Sequence, residues 1–503
     1  MRLSALRSSR IALQTPRQLR SSVSSPQDSD VFANNLRKTL DAHRTSNRNR
    51  LIRKVYPRSP AAGLWRPEIP LESRPECPPA TQPAPTVKEA KPKETTSRQR
   101  RRLRHEDAAT RSTQSRPADT LIRSSETFHD GSAGNHPWLS YLEPSGGIDD
   151  ATTFLNAEIL ALERYLSPSS PEQIWTDQLS AQVVGLLNPI VPHTPQLIGS
   201  RQIGLALPHS DLNFLLPFED LLRSPDRARK PSATRPQIHD AHLRLLRRVE
   251  STLESSPSFD RIQLSGKRRS ILDARHHPTG LLLRFYCGER APELMDYLKN
   301  YLAQYPTLRP LYMATRALLE ARGLFGYSQS GIRPDVLAIL LVAFLKLNQS
   351  RFSVPFNAGE QFLTFLKFYG TDVDLQSIGV AVDPPGFFGF EKIHDSEQGN
   401  TNTACLRGQR SLINAKRTAV CRGNMSAGQR LCIQDPTHYM NDLGRSFTRT
   451  AELQNVFSTA YKQLCDSSQG WKDTDKVESI LASALRANFD QLETLREKLV
   501  PSD

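Results

Sequence analysis

The sequence predicts an α+β protein: a mixed sheet with flanking helices, joined to a mostly helical half, behind a disordered basic N-terminal region. Three observations carry this. Between residues 137 and 295, helical-period segments alternate with short apolar runs that end in glycine or proline turns. From 296 to 470 the apolar segments read as helices. Composition supplies the third: 36 prolines and 38% hydrophobic residues, below the ~45–50% of ordinary globular chains, predict a real core beside a sizeable unfolded part. A length of 503 residues allows about three folding units.

No apolar run approaches the roughly 20 residues of a bilayer-spanning helix. Cysteines at 77, 287, 405, 421, 432 and 465 are too few for a disulfide scaffold, and none stands in CxxC spacing. Free thiols in a reducing compartment are expected. The net charge of +14 looks like a nucleic-acid footprint until it is located. Residues 1–136 hold 26 of the 66 Lys+Arg and 13 of the 52 Asp+Glu, leaving 40 and 39 for residues 137–503. The body is nearly neutral, although a local basic cleft is compatible with that balance.

Residues 1–27 contain Arg2, Arg7, Arg10, Arg17 and Arg20, many serines and no acid before Asp28. A secretory signal needs a continuous apolar stretch, which is absent, so the profile is that of a mitochondrial transit peptide. Residues 28–136 are proline-rich and lack apolar periodicity, and they read as disordered. Within them, Arg98-Gln99-Arg100-Arg101-Arg102-Leu103-Arg104 is a basic run able to touch phosphates or simply to solvate a linker.

Pro137-Trp138-Leu139 opens the body. Residues 150–166 place Phe154, Leu155, Ile159, Leu162 and Leu166 at helical spacing. Ser170-Pro171-Glu172 reads as a helix start with the serine as cap, the helix running to Leu187. A short strand at Pro195–Ile198 ends in the turn Gly199-Ser200, and Gly204–Phe214 (GLALPHSDLNF) ends in an alternating strand. Residues 267–286 (KRRSILDARHHPTGLLLRFY) read as two more strands, with Thr279-Gly280 at the hairpin turn and His276-His277 on the surface beside it. Tyr301 opens a long helix that closes at Arg322-Gly323-Leu324, and Val336–Leu347 is an apolar helix. Residues 474–498 align Val477, Ile480, Leu481, Leu485, Phe489, Leu492 and Leu495 as one amphipathic helix packed on its own body.

A Gly-Ser turn followed about ten residues later by an acidic strand resembles the palm signature of the DNA-polymerase-β-like nucleotidyltransferases. The turn offers N–H groups and a hydroxyl to nucleotide phosphates. Residues i and i+2 on the strand point to one side, so two carboxylates can share divalent ions, and a third from a neighbouring strand completes the site. Asn357-Ala358-Gly359 before FLTFLKFYG resembles the poly(A)-polymerase-associated domain. Ile433–Pro436 and Asn441–Ser446 resemble its nucleotide-recognition loop. The chain is similar over 137–465 to non-canonical poly(A) polymerases and terminal uridylyltransferases, including the mitochondrial type. The resemblance implies a nucleotidyltransferase palm at 137–295, a helical domain at 296–470 and the C-terminal helix at 471–503. It also implies a site at Gly199, Ser200, Asp211, Arg316, Asp435 and Asn441.

The departures from the family pattern are specific. Asp211 keeps the first metal position, but Asn213 replaces the second carboxylate and Arg284 the third, with Thr279-Gly280 setting the register. Like charges 4 Å apart repel by roughly 4 kcal/mol at an effective dielectric near 20, which weakens Mg²⁺ binding at Asp211. An ion pair from Arg284 to Asp211 is expected instead. Asp220, Asp273 or Glu289 are alternative ligands. Arg316 replaces one triphosphate-contacting lysine and Glu320 the other, and Arg333-Pro334-Asp335 replaces the stretch with the base-stacking tyrosine.

Three functions follow. The preferred one is a catalytically degenerate member of the family that binds RNA or a partner protein of mitochondrial gene expression in the matrix, without cofactor. An active RNA 3′-end adenylyl- or uridylyltransferase would use ATP or UTP with Mg²⁺ or Mn²⁺. A structural subunit without RNA contact is the third.

Overall fold

The computed structural model describes residues 121–124, 136–143, 150–218, 236–266, 270–289, 293–326, 331–352, 354, 356–389, 403–471 and 479–499. The transit-peptide segment, the basic run at 98–104, Cys77, Asp220 and Val477 lie outside them.

A five-stranded mixed sheet runs in the order β2-β3-β6-β5-β4: β2 (Gln196–Ile198), β3 (Leu212–Pro217), β4 (Phe259–Ser265), β5 (Ile271–His276) and β6 (Leu282–Gly288). Neighbours are antiparallel except β3 and β6, which run parallel. The β3 strand is buried at five successive positions rather than alternating, because it is central and covered on both faces. Its Phe214 stacks on Phe285 of β6 at 5.4 Å. Behind the sheet pack α2 (Ser170–Leu187) and α4 (Pro236–Glu254), through Leu179, Val183, Leu245 and Val249. The cap of α2 is Ser169, one residue earlier than expected, in a reciprocal capping box with Glu172. Between β2 and β3 sits the single turn α3 (Ser200–Ile203). In the β5–β6 hairpin, Gly280 takes a φ of +72°, the left-handed turn its position requires. His276 is buried against Thr279 at 2.8 Å, correcting the surface placement; His277 is exposed.

The second core is helical. It joins α1 (Ala151–Leu166), α5 (Glu293–Gln304), α6 (Leu308–Ala321), α7 (Pro334–Asn348), α8 (Ala358–Lys367) and α11 (Thr450–Gly470). Although α1 precedes the sheet in sequence, its apolar face belongs to this core. The long helix expected from Tyr301 is two helices: Pro306 cannot continue α5, whose last turn holds Tyr301, and α6 begins at Leu308. The hairpin β7 (Gly379–Val382) and β8 (Pro385–Phe388) carries the pair α9 (Ala404–Cys421) and α10 (Met425–Gly428).

The C-terminal segment is not one helix. It breaks into α12 (Ile480–Leu485), β9 (Ala487–Asn488) and α13 (Asp490–Leu499). Arg486 turns the chain at φ +41°, and β9 pairs with β1 (Arg123–Ser124). Backbone pairing with this upstream segment outweighs continued helix. The apolar face does pack on the body: Leu481, Leu485, Phe489 and Leu492 join the helical core. The five described cysteines are free thiols. Among the described residues no helix is long and apolar enough to cross a membrane.

Candidate active site

The Gly-Ser turn and the acidic strand meet as the spacing implies. Ile198 pairs with Asn213, and Asn213 with Arg284 on β6, which in turn faces Asp273 on β5. Gly199 adopts φ +88°, and a Cβ there would come within 3.2 Å of the Asn213 amide nitrogen. Glycine is needed for both the turn and that close approach. The Asn213 Oδ1 accepts from the Tyr286 hydroxyl at 3.3 Å.

Asp211 sits one residue before β3. Its Oδ2 lies 3.0 Å from Arg284 Nη1, so the expected ion pair is present. Arg284 also donates from Nε to Asp273 Oδ1 at 3.0 Å. The guanidinium therefore bridges two carboxylates on either side of it. Burial pushes the Asp273 carboxyl above its ordinary range, Arg284 pulls it back, and Asp211 adds to the rise. Two-metal chemistry does not fit these residues: an amide and a permanent cation stand where the resemblance leads one to expect the second and third carboxylates, and Asp273 pairs with that cation. Among the described residues no group of three His, Cys, Asp or Glu could hold a metal ion.

The residues expected on the phosphate side are turned inward. Arg316 Nε donates to Glu320 at 2.7 Å and its Nη1 to the Ser210 hydroxyl at 3.1 Å, with the guanidinium over the Phe325 ring. His209 Nε2 lies 3.3 Å from Glu320. Burial acts against charge on both Arg316 and Glu320, but mutual attraction prevails: Arg316 is held above and Glu320 below its ordinary value. Arg316 is only 5% exposed. Arg201, next to Ser200, bonds the carbonyls of Pro208 and Ser210, and burial lowers its guanidinium to about 10. Arg333 pairs with Asp335 at 2.7 Å.

The recognition-like loop is closed on itself. Asp435 accepts from Thr437 N, Thr437 Oγ1, His438 N and, at 2.9 Å, from the amide of Asn441. Asp435 and Asn441 thus come together, yet each is engaged in shaping the loop. Asp211, Asn213 and Arg284 meet at the sheet with Gly199-Ser200 next to Asn213. Sequence reasoning passed over Tyr286, Arg201, His209 and Ser210. Strand alternation from Arg284 to Tyr286 was the available signal for the first, and adjacency to Ser200 and Asp211 for the others.

Known proteins resemble this chain in sequence and in fold. The chain is 24% identical over 171 residues to the poly(A) RNA polymerase cid14 of Schizosaccharomyces pombe, covering 33% of this chain and 21% of that protein. It is 22% identical over 173 residues to the inactive non-canonical poly(A) RNA polymerase protein Trf4-2 of Drosophila melanogaster, covering 34% of this chain and 37% of that protein. The matches thus span about a fifth and about a third of these relatives. The polymerase core of TRAMP, an RNA surveillance complex, superposes with a TM-score of 0.53 at 17% identity, over 69% of this chain and 98% of that one. This is the fold of the non-canonical poly(A) polymerases. No family model matches the chain. Within this poly(A)-polymerase-like fold, Asp211, Asn213 and Arg284 meet at the mixed sheet.

Proposed function

We propose that this chain is a poly(A)-polymerase-like protein retired from catalysis, which binds RNA and serves RNA metabolism in the mitochondrial matrix. The bridge from Asp211 through Arg284 to Asp273 carries the reading. Arginine stays charged at any physiological pH, so it neutralises the two carboxylates without metal and repels a divalent ion. The inward Arg316–Glu320 pair supports it, since both groups that would face a triphosphate satisfy each other. A fold persists when its chemistry is gone, and one similar protein carries "inactive" in its name. The matrix assignment rests on the arginine- and serine-rich, acid-free residues 1–27.

A tailing assay tests this. The purified chain is given labelled RNA, each NTP in turn, and Mg²⁺ or Mn²⁺, beside Asp211→Ala and the double substitution Asn213→Asp/Arg284→Asp. The native chain is expected to shift the RNA without extending it. Extension that disappears in Asp211→Ala would establish an active transferase with a relocated ligand. Absence of any RNA shift would favour a structural subunit. A reporter fused behind residues 1–30 that stays outside mitochondria removes the matrix assignment.

A further inference from the structure

The α9–α10 hairpin lies beside the recognition-like loop and has two unlike faces. Its inner face is committed: Gly408, Leu412, Ile413 and Lys416 are buried, with Leu412 and Ile413 against Ala381, Phe388 and Cys432. A Cβ on Gly408 would reach 2.2 Å from the Tyr439 carbonyl oxygen, so this approach is tight. The outer face carries Arg407, Ser411, Asn414, Thr418 and Arg422, all exposed, at spacings of four, three, four and four residues. That spacing forms one stripe along the helix, about 22 Å from end to end. Four of these residues line an open groove with Asn424, and Arg407 stands one turn beyond it.

The charge of this region departs from that of the body. Residues 398–434 contain six Lys+Arg and no Asp or Glu. Helix stability explains Arg422, at the C-cap where the helix dipole favours a cation. It does not explain Arg407, in the first turn, where the dipole opposes one. Among the described residues 403–434, the exposed large apolar side chains are Val420 and Met425, at the hairpin turn.

We propose that this stripe docks the sugar–phosphate backbone of single-stranded RNA. Arg407 and Arg422 pair with phosphates, while Ser411, Asn414, Thr418 and Asn424 offer hydroxyls and amides to phosphate oxygens and 2′-hydroxyls. The inference rests on the RNA-binding reading above and assigns it a surface outside the palm.

The test uses the full chain and a fluorescein-labelled 20-nucleotide oligo(U), read by anisotropy across a salt series. The variant Arg407→Gln/Arg422→Gln is expected to melt like the native protein, weaken binding several-fold and lower the log–log salt slope by about 1.4, as two lost phosphate contacts require. Cys421 supplies a local readout, since it is exposed at the end of α9. Oligo(U) is expected to slow its alkylation by a maleimide and to leave Cys465 unaffected. If the native chain binds no RNA, both this inference and the RNA-binding reading fall. If it binds but neither the slope nor Cys421 responds, the docking surface alone is overturned. Protection of Cys421 by polyglutamate and not by oligo(U) overturns it in favour of an acidic protein segment.

Discussion

The guanidinium of Arg284 reaches Asp211 from Nη1 and Asp273 from Nε, both at 3.0 Å. Both carboxylates are partly shielded from water, so each depends on that cation for compensation. Arg284→Met keeps the packed stem and removes the charge. It is expected to cost about 1–3 kcal/mol at pH 8, the penalty of uncompensated polar groups. Without Arg284 the Asp273 carboxyl, already raised by burial and by Asp211, rises further. Protons then bind the folded variant as pH falls, so the deficit shrinks toward pH 4. Urea unfolding at both pH values checks this; an equal deficit at both would exclude a charge origin. The Asp211 pairing was legible because Thr279-Gly280 sets the register of β6. The second partner was not, since Asp273 was weighed as a metal ligand. Its role depends on the hairpin register that sets residue 273 opposite 284.

Helix α1 shows how an element is held by another far along the chain. Glu158 is buried on α1 and accepts from the Ser479 hydroxyl and, at 2.9 Å, from Leu481 N at the start of α12. Burial raises its carboxyl to about 7, although those hydrogen bonds oppose the rise. The raised value means stability that is full below the unfolded value near 4.5 and lost as pH climbs through 7. The loss amounts to about 3 kcal/mol. Glu158→Gln keeps the shape without the ionisation, so its thermal stability is expected to stay level between pH 5 and 8 while the native protein's declines. Parallel curves would show that Glu158 does not titrate in this range. The apolar period of α1, α7 and α8 announces them as helices. The breaks at Pro306 and Arg486 were missed because apolar spacing continues across both. Local proline chemistry ends one helix and strand pairing with β1 ends the other.

Across the described residues, two large apolar cores divide the work, one under the sheet and one among the helices, beside a small third cluster at Ala381, Phe388, Leu412, Ile413 and Cys432. The C-terminal segment touches both: Leu481, Phe489 and Leu492 enter the helical core, and Leu499 the sheet core. Truncation after Glu478 is therefore expected to abolish the cooperative thermal transition, because it strips large side chains from two cores and leaves Glu158 buried without its partners. A truncated chain that melts like the native one would show that this segment only decorates the surface. Charge has its own distribution at this scale. The near-neutral body conceals a carboxylate-free stretch at 398–434, which whole-chain averages cannot display.

The sequence by itself determined the α+β class, the Gly-Ser turn, the strand behind Asp211 and the amide at 213 and arginine at 284 where the resemblance leads one to expect acids. Those features are local, written in glycine turns, residue identity and apolar spacing. Tertiary structure decided what those two residues do. Only the pairing of β3, β6 and β5 places one arginine between two aspartates, and only the packing of α6 against the turn at Ser210 buries the Arg316–Glu320 pair, one helical turn apart, and joins Arg316 to Ser210. Such contacts join residues up to about a hundred positions apart, and their energies depend on distance and burial, which the linear order of residues does not record.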